Sequence, residues 1–127
     1  MLGLGSNTFN PDSDIPDLAG RVFVVTGGSA GIGFGIVAHL LQHNAKKIYL
    51  LSAKEHHADS AIEALKEFGD VSKVEWKQCN LEHLEEVKAV AEQLRNELSQ
   101  LDALVLNAGL GVGVYNLTVD GIGMLPQ

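Results

Sequence analysis

A glycine-rich segment constrains this chain more than any other part of its sequence. The segment reads Thr26-Gly27-Gly28-Ser29-Ala30-Gly31-Ile32-Gly33. It follows residues 21–26, an apolar and β-branched run that suits a strand covered on both faces. After it, apolar residues recur at helical spacing at positions 36, 37, 40 and 41, and His43-Asn44 marks the end of that pattern. The local order is therefore strand, glycine turn, helix.

The rest of the sequence repeats this alternation of strand and helix. Strand-like runs cover residues 46–52, 73–79 and 101–106, and helical apolar patterns cover residues 58–68 and 81–98. The polar and apolar alternation of the run at 73–79 places it nearer an edge of the sheet. Strands that alternate with helices over the whole chain predict an α/β fold, with a parallel sheet and helices on both of its faces.

Size and charge exclude several classes of function. The 127 residues suffice for one domain, and 46% of them are hydrophobic, which is enough for a core. A net charge of -7 argues against binding nucleic acid or anionic membranes, because such partners select clustered Lys and Arg. Cys79 is the only cysteine, so neither an intrachain disulfide nor a metal site is expected. Without a secretory signal pattern or a membrane-spanning run, a cytoplasmic location is expected.

The glycine turn has the position and the spacing expected of a dinucleotide site. A pyrophosphate must approach the backbone closely and meet free N–H groups at the positive end of a helix, which excludes side chains at Gly27, Gly31 and Gly33. The spacing is Gly-x-x-x-Gly-x-Gly rather than the more widespread Gly-x-Gly-x-x-Gly, and a glycine-rich string alone also fits an ordinary flexible turn. The strand before it and the helix after it favour the dinucleotide.

A second motif lies far along the chain and reads Leu101-Asp102-Ala103-Leu104-Val105-Leu106-Asn107-Ala108-Gly109. It resembles the fourth-strand signature of the short-chain dehydrogenase/reductase family, and Asp17-Leu18-Ala19-Gly20-Arg21 is similar to the lead-in of many members. The resemblance covers about residues 17–122 and looks closest to the branch of retinol dehydrogenases and fungal secondary-metabolism reductases. It implies a Rossmann-like parallel sheet, incomplete here, with about four strands in the order 3-2-1-4.

The resemblance assigns roles around a nicotinamide dinucleotide. It implies that Gly27, Gly31 and Gly33 shape the turn, while Ser29 and the backbone amide of Ile32 contact the phosphates.

Three more residues belong to the implied cofactor-binding set. The resemblance implies that Asn107 steadies the central sheet beside the cofactor, and Gly109 belongs to the same signature. Asn80 stands where the family usually has Asp, and its amide oxygen can still accept a hydrogen bond from the adenine amino group. Asn80 equally suits the N-cap of the helix predicted over 81–98, so both roles stay open.

The end of the second predicted strand decides between NAD and NADP. An acidic residue there accepts from the ribose hydroxyls and repels a 2′-phosphate, whereas a basic residue attracts one. The sequence reads Ser52-Ala53-Lys54, so NADP is expected, with Lys54 as the phosphate partner, and NAD is less favoured. The related branch usually has Arg where Ala53 stands, and Glu55 follows the lysine. The alternative is a solvated Lys54 without a ligand.

The catalytic groups that the resemblance implies do not occur in this sequence. Family members reduce a carbonyl, or oxidise a secondary alcohol, with a Tyr that is followed by a Lys four positions later. Here Tyr49 is followed at that distance by Ala53, and Tyr115 by Val119. We expect the cofactor-binding part of an NADP-dependent oxidoreductase, truncated, inactive alone and without catalytic residues. A non-catalytic nucleotide-binding or regulatory module is the alternative.

These patterns divide the chain into three parts. They are an extended leader at residues 1–17, the NAD(P)-binding part at 18–122 and a tail at 123–127 that departs from the family pattern. The fourth strand is expected to leave its outer edge unpaired, which predicts poor solubility, or an oligomer in which a partner covers that edge. A small-molecule substrate is expected only of a longer form.

Overall fold

The structure is a computed structural model that describes residues 5–111, 113 and 115–124. Its elements are α1 (Pro11–Asp14), β1 (Val22–Thr26), α2 (Gly31–Gln42), β2 (Lys47–Ser52), α3 (Glu55–Leu65), a 3-10 turn (Val71–Lys73), β3 (Val74–Gln78), α4 (Leu84–Glu97), β4 (Ala103–Val105), β5 (Asn116–Leu117) and β6 (Gly123–Met124). Within these described ranges, no helix combines the length and the apolar content that crossing a membrane requires.

Four of the strands form one parallel sheet in the order β3-β2-β1-β4. The register places Val24 opposite Tyr49 of β2 on one side and opposite Leu104 of β4 on the other. The predicted strand order is therefore confirmed. The chain leaves β1 toward β2 on one side and returns to β4 on the other, so the carboxyl end of β1 lies where the direction of strand addition reverses.

Each face of the sheet buries its own cluster of apolar side chains. Successive residues of a strand point to opposite faces, so Phe23 and Val25 belong to one cluster while Val22 and Val24 belong to the other. The first cluster includes side chains of α2 and α3, among them Val37, Leu41 and Leu65; the second includes Val90 and Leu94 of α4. Helices on both faces are thereby confirmed, and this explains why every residue of β1 is buried.

Some predicted boundaries are wrong because local hydrogen bonds override the apolar spacing. The long helix begins at Leu84 rather than at position 81. Before it, the side chain of Asn80 accepts a hydrogen bond from the N–H of Glu82 at 3.0 Å, which bends the chain into a turn. The helix predicted over 58–68 is shifted toward the N-terminus as α3, and the strand predicted over 101–106 is reduced to β4.

The leader is not extended throughout, because residues 11–14 form α1. Asn10 caps this single turn by accepting a hydrogen bond from the N–H of Asp12 at 3.0 Å. Pro11 occupies the start of the turn, where its fixed φ suits a helix and its missing N–H costs nothing. The prediction overlooked this combination of an N-cap residue followed by proline.

β4 borders an apolar groove that opens to solvent. The groove has a volume of about 520 Å³ and is lined mainly by apolar side chains of α4 and of the strands beside it. Leu104 is 53% exposed and Leu106 is 78% exposed there. Among the residues that the structure describes, β4 pairs with β1 alone. The expected open edge is present, whereas poor solubility and an oligomer that covers the edge stay predictions.

The carboxylate of Asp102 ties the beginning of β4 to the beginning of β1. Its Oδ2 atom accepts hydrogen bonds from the N–H of Val22 at 2.7 Å and from Nε2 of Gln100 at 2.9 Å. The backbone N–H of Asp102 also donates to the carbonyl of Val22 at 2.9 Å. The hydrogen bond from Val22, followed by that from Gln100, holds the pKa of the Asp102 carboxyl below its ordinary value.

We predict that this contact makes part of the folding stability depend on acid pH. A carboxyl whose pKa is lower in the folded state stabilises the fold above its unfolded pKa of about 4, and the contribution disappears as the pH falls through the folded value. Asp102→Asn should therefore lower the melting temperature at pH 7, with a difference from the wild type that shrinks toward pH 3. Thermal unfolding over that pH range measures it, and a constant difference would contradict the assignment.

Candidate dinucleotide-binding site

The candidate site lies at the carboxyl ends of β1 and β4, beside the first turn of α2. In open parallel sheets, ligands bind at this edge, in the crevice where strand addition reverses direction. The connection from β1 to α2 spans only residues 27–30, so the end of the strand and the start of the helix are close neighbours. The glycine segment therefore occupies the predicted strand-to-helix corner.

Thr26, the last residue of β1, joins this corner to the segment that follows β4. Its side chain is buried, and its hydroxyl oxygen accepts hydrogen bonds from the N–H groups of Asn107 at 3.1 Å and Ala108 at 3.0 Å. The hydroxyl donates in turn to the carbonyl of Val105 at 3.4 Å. The sequence patterns predict no role for Thr26, although a single polar residue that ends an otherwise apolar strand is a usable signal.

Asn107 fastens the same corner through its side chain. Its Nδ2 atom donates to the carbonyl oxygen of Thr26 at 3.1 Å and, more weakly, to that of Gly27 at 3.4 Å. Gly27 has a φ of +66° and lies so close that a Cβ atom there would come within 2.9 Å of the Ala108 Cα atom. Asn107 therefore lies beside the turn and links the segments that follow two neighbouring strands, while its place beside a cofactor stays a prediction.

The glycines at 33 and 31 are required for different reasons. A Cβ atom on Gly33 would overlap the carbonyl group of Gly27 and would lie 2.6 Å from Nδ2 of Asn107. Gly31 has open space around it but a φ of +56°, which glycine adopts without strain. The sequence alone predicts that an approaching pyrophosphate excludes side chains at these glycines. In the structure, close packing of the chain against itself excludes them at Gly27 and Gly33.

The first turn of α2 offers backbone N–H groups to a ligand. The N-cap residue is Ala30, whose methyl side chain accepts no hydrogen bond, and the helical bonding begins with the N–H of Phe34, which donates to Ala30. The amides of Gly31, Ile32 and Gly33 precede that bond at the positive end of the helix dipole, an arrangement suited to an anion. The side chain of Ile32 is 80% exposed, which gives the turn an apolar surface beside those amides.

A cavity of about 370 Å³ opens beside the turn. Of the nine predicted cofactor residues, Gly27, Asn80 and Gly109 line it, together with the end of β2, the start of the α4 connection and the β5–β6 hairpin. Five others do not line the cavity: four belong to the glycine turn and the start of α2, and the fifth holds that turn through its side chain. They are Ser29, Gly31, Ile32, Gly33 and Asn107. Cys79 also lines the cavity, and burial raises the pKa of its thiol, so the thiol adds no charge at neutral pH.

Asn80 lies at the end of β3, half-buried, and faces this cavity. The alternative role as N-cap of the long helix is wrong, because the N-cap residue is His83. The side-chain oxygen of Asn80 already accepts from Glu82, and its backbone N–H donates to Oε1 of Glu86 at 3.0 Å. A carbonyl oxygen has two lone pairs, so this oxygen keeps the capacity to accept a second bond from a ligand.

Lys54 is exposed and does not line the cavity. It is the N-cap residue of α3, directly after the tip of β2. β3 fixes that tip, since Nε1 of Trp76 donates to the Ser52 hydroxyl at 2.9 Å and Nε2 of Gln78 donates to the Ala53 carbonyl at 3.1 Å. These two bonds hold the backbone just before Lys54 in a fixed position. The side chain of Lys54 is exposed to solvent at the rim of the cavity.

Comparison with known proteins identifies relatives of this chain. The family model described as short chain dehydrogenase matches residues 21–120. A Neurospora crassa protein named as a mitochondrial oxidoreductase, bli-4, is 41% identical over 122 residues, which cover 94% of this chain and 29% of that protein. The short chain dehydrogenase/reductase dpfgH of Gibberella zeae is 38% identical over 127 residues, which cover 98% of this chain and 36% of the relative.

A solved structure shares the fold. The crystal structure of a metagenomic short-chain oxidoreductase in complex with NADP is similar with a TM-score of 0.67 and 30% identity, over 76% of this chain and 42% of that chain. Both sequence relatives are fungal, in agreement with the branch that the resemblance named. The chain spans about a third of the length of these curated relatives.

We predict that Gly33→Ala removes about 3 kcal/mol from the free energy of unfolding, because the backbone of Gly27 would have to move. Gly35→Ala is the matched control within the same helix, since a Cβ atom there meets nothing within 4 Å. Alanine at that helical position should raise stability by up to about 1 kcal/mol. Urea unfolding followed by circular dichroism measures both variants, and equal effects would show that the packing at Gly33 is unimportant.

We also predict that Thr26→Val costs about 2 kcal/mol of stability, since it leaves the N–H groups of Asn107 and Ala108 without their acceptor. Thr26→Ser keeps the hydroxyl and loses only a methyl group, worth about 1 kcal/mol. The same urea experiment compares them. If serine were as damaging as valine, the hydroxyl would not be the stabilising group.

Proposed function

This chain belongs to the short-chain dehydrogenase family, and we propose that it binds NADP(H) as the cofactor-binding part of an oxidoreductase. The observation that carries the proposal is the first turn of α2. Three backbone amides lie there at the start of the helix without a side-chain cap, and the space around Gly31 is open, at the corner where strand addition reverses. A diphosphate matches the charge and the donors of that corner. The solved relative in complex with NADP supports the same choice of ligand.

We assign the remaining cofactor contacts from the two sides of the corner. The Ser29 hydroxyl and the amide of Ile32 contact the phosphates, and the exposed Ile32 side chain packs on the ligand. Asn80 accepts from the adenine amino group at the end of β3. Gly109, which lines the same cavity as Asn80, allows the cofactor to pass from the adenosine end toward the end of β4.

The preference for NADP over NAD is part of the proposal and depends on the rim at Lys54. The two residues at the tip of β2, Ser52 and Ala53, carry no charge that would repel a 2′-phosphate. Lys54 follows them, and its side chain is exposed to solvent. Glu55 opens α3, where the helix dipole favours an acidic residue, so its presence beside Lys54 is explained by the helix.

Redox chemistry requires groups in addition to those on this chain. Neither Tyr49 nor Tyr115 has a lysine four positions later. We therefore propose that residues 18–122 bind the dinucleotide without turning over a carbonyl or a secondary alcohol by themselves, and that Gly123, although it lies in the tail that departs from the family pattern, also lines the cavity. The cytoplasmic location stays a prediction, and the Neurospora crassa relative is named as mitochondrial.

The missing tyrosine and lysine pair also favours a second candidate, a non-catalytic nucleotide-binding or regulatory module. Mass spectrometry of the protein isolated from its source separates the two. A product longer than this chain that contains Tyr-x-x-x-Lys and oxidises NADPH in the presence of a carbonyl supports the oxidoreductase. A product of 13.5 kDa that binds NADPH without turnover supports the module.

We predict that Lys54→Gln weakens NADP⁺ binding about tenfold and leaves NAD⁺ binding unchanged, because only NADP⁺ carries the 2′-phosphate that the ammonium group attracts. Lys46→Gln is the control with the same loss of charge, since Lys46 is exposed just before β2, at the opposite end of that strand. Isothermal titration calorimetry with both cofactors at low salt measures the effect. If both variants weakened NADP⁺ binding equally, the effect would come from the net charge of the protein and not from a contact with Lys54.

A further inference from the structure

The β5–β6 hairpin presents an aspartate on a tightly organised turn. Its strands pair Asn116 with Met124 and Leu117 with Gly123. Between them, the backbone N–H of Thr118 donates to the Ile122 carbonyl at 2.8 Å. The hydroxyl of Thr118 accepts from the N–H groups of Asp120 at 3.3 Å and of Ile122 at 3.2 Å. These bonds fix the direction in which the Asp120 side chain leaves the turn.

Asp120 caps a helix from which it is distant in sequence. Its Oδ2 atom accepts a hydrogen bond of 2.8 Å from the N–H of Leu84, the first residue of α4 and 36 positions away. The N-cap residue His83 provides no capping bond through its own side chain. Asp120 thus supplies a carboxylate at a helix N-terminus, where hydrogen bonding and the helix dipole both favour it.

This contact connects two walls of the candidate cofactor cavity. Leu81 and Glu82, in the turn that leads into α4, line one wall, whereas Thr118 and Ile122 of the hairpin turn line another. The bond from Leu84 to Asp120 joins these walls directly. Asn80 lines the same cavity, so the joined walls enclose the end assigned to adenosine.

We propose that Asp120 is a positioning residue for cofactor binding, which holds the hairpin against α4 as the outer wall of the adenosine end of the cavity. The inference rests on the proposed function, because it concerns the affinity of the same site. Asp120 itself does not line the cavity and acts through the position of Thr118 and Ile122. Losing the bond frees the hairpin to move away from α4, and the bound adenosine then loses one of its walls.

Two variants break the bond from opposite sides. Asp120→Ala removes the acceptor. Leu84→Pro removes the donor and leaves the helix intact, because proline is well tolerated at the first helical position. His83 before it has φ -116° and ψ 104°, which is the extended conformation that a following proline demands. Leu84→Ala controls for the loss of the leucine side chain, and Asp120→Asn keeps an oxygen acceptor at the cap.

We expect each bond-breaking variant to raise the Kd of NADPH about fivefold, because that factor corresponds to the free energy that a single helix N-cap contributes. The double variant should be no weaker than either single variant, because both remove the same interaction. Asp120→Asn should restore most of the affinity. The Kd of adenosine 2′,5′-bisphosphate should rise by the same factor as that of NADPH, whereas that of nicotinamide mononucleotide should not change.

Fluorescence titration of the full chain gives these constants, and hydrogen exchange of the amides at 118–122 shows whether the hairpin is released. Faster exchange together with weaker adenosine binding supports the proposal. If the wild type binds NADPH and Asp120→Ala binds it equally well, the role of Asp120 is overturned while the proposed function stands. If the wild type binds no dinucleotide, both fail. Additive losses in the double variant would also overturn the proposal.

Discussion

The contact on which the rest of the structure depends is the packing of the Gly27 carbonyl against the backbone of Gly33. The end of β1 and the first turn of α2 touch there without an intervening side chain. Asn107, in the segment that follows β4, donates hydrogen bonds to the carbonyls of Thr26 and Gly27. The end of β1, the start of α2 and the segment after β4 therefore meet at one point. A larger residue at position 33 would separate the helix from the sheet and displace the amides that face the candidate site.

This packing changes the meaning of the glycine motif. The sequence suggests that the glycines make room for a diphosphate, and for Gly31 the structure leaves that space open. Gly27 and Gly33 instead meet protein atoms, so they are required whether or not a ligand is bound. A chain that lost its cofactor would still need both residues in order to fold. The motif is therefore evidence for the fold first and for nucleotide binding second, and it is the uncapped amides of α2 that indicate nucleotide binding.

The order of elements could be predicted from apolar periodicity, and the neighbours within the sheet could be predicted from the family resemblance that the two motifs carry. Boundaries could not, since they depend on single hydrogen bonds such as that from Glu82 to the side chain of Asn80, which delays α4. The N-cap hypothesis for Asn80 failed for the same reason. Thr26 and Asp120 were missed because their partners lie far away in sequence, and a single sequence contains no sign of which distant amide a hydroxyl or carboxylate will meet.

The pairing of β1 with β4 joins residues about 80 positions apart, whereas β1 meets β2 after one short helical connection. Bringing distant segments together costs more chain entropy than closing a short loop. During synthesis, β1, α2 and β2 can therefore assemble from local contacts well before residues 103–108 leave the ribosome. Until those residues dock, Thr26 and the carbonyl of Gly27 have no partners from that segment. The corner beside the glycine turn is thus the last part of the sheet to be completed, and the proposed nucleotide site reaches its full set of hydrogen bonds only after the fourth strand has joined.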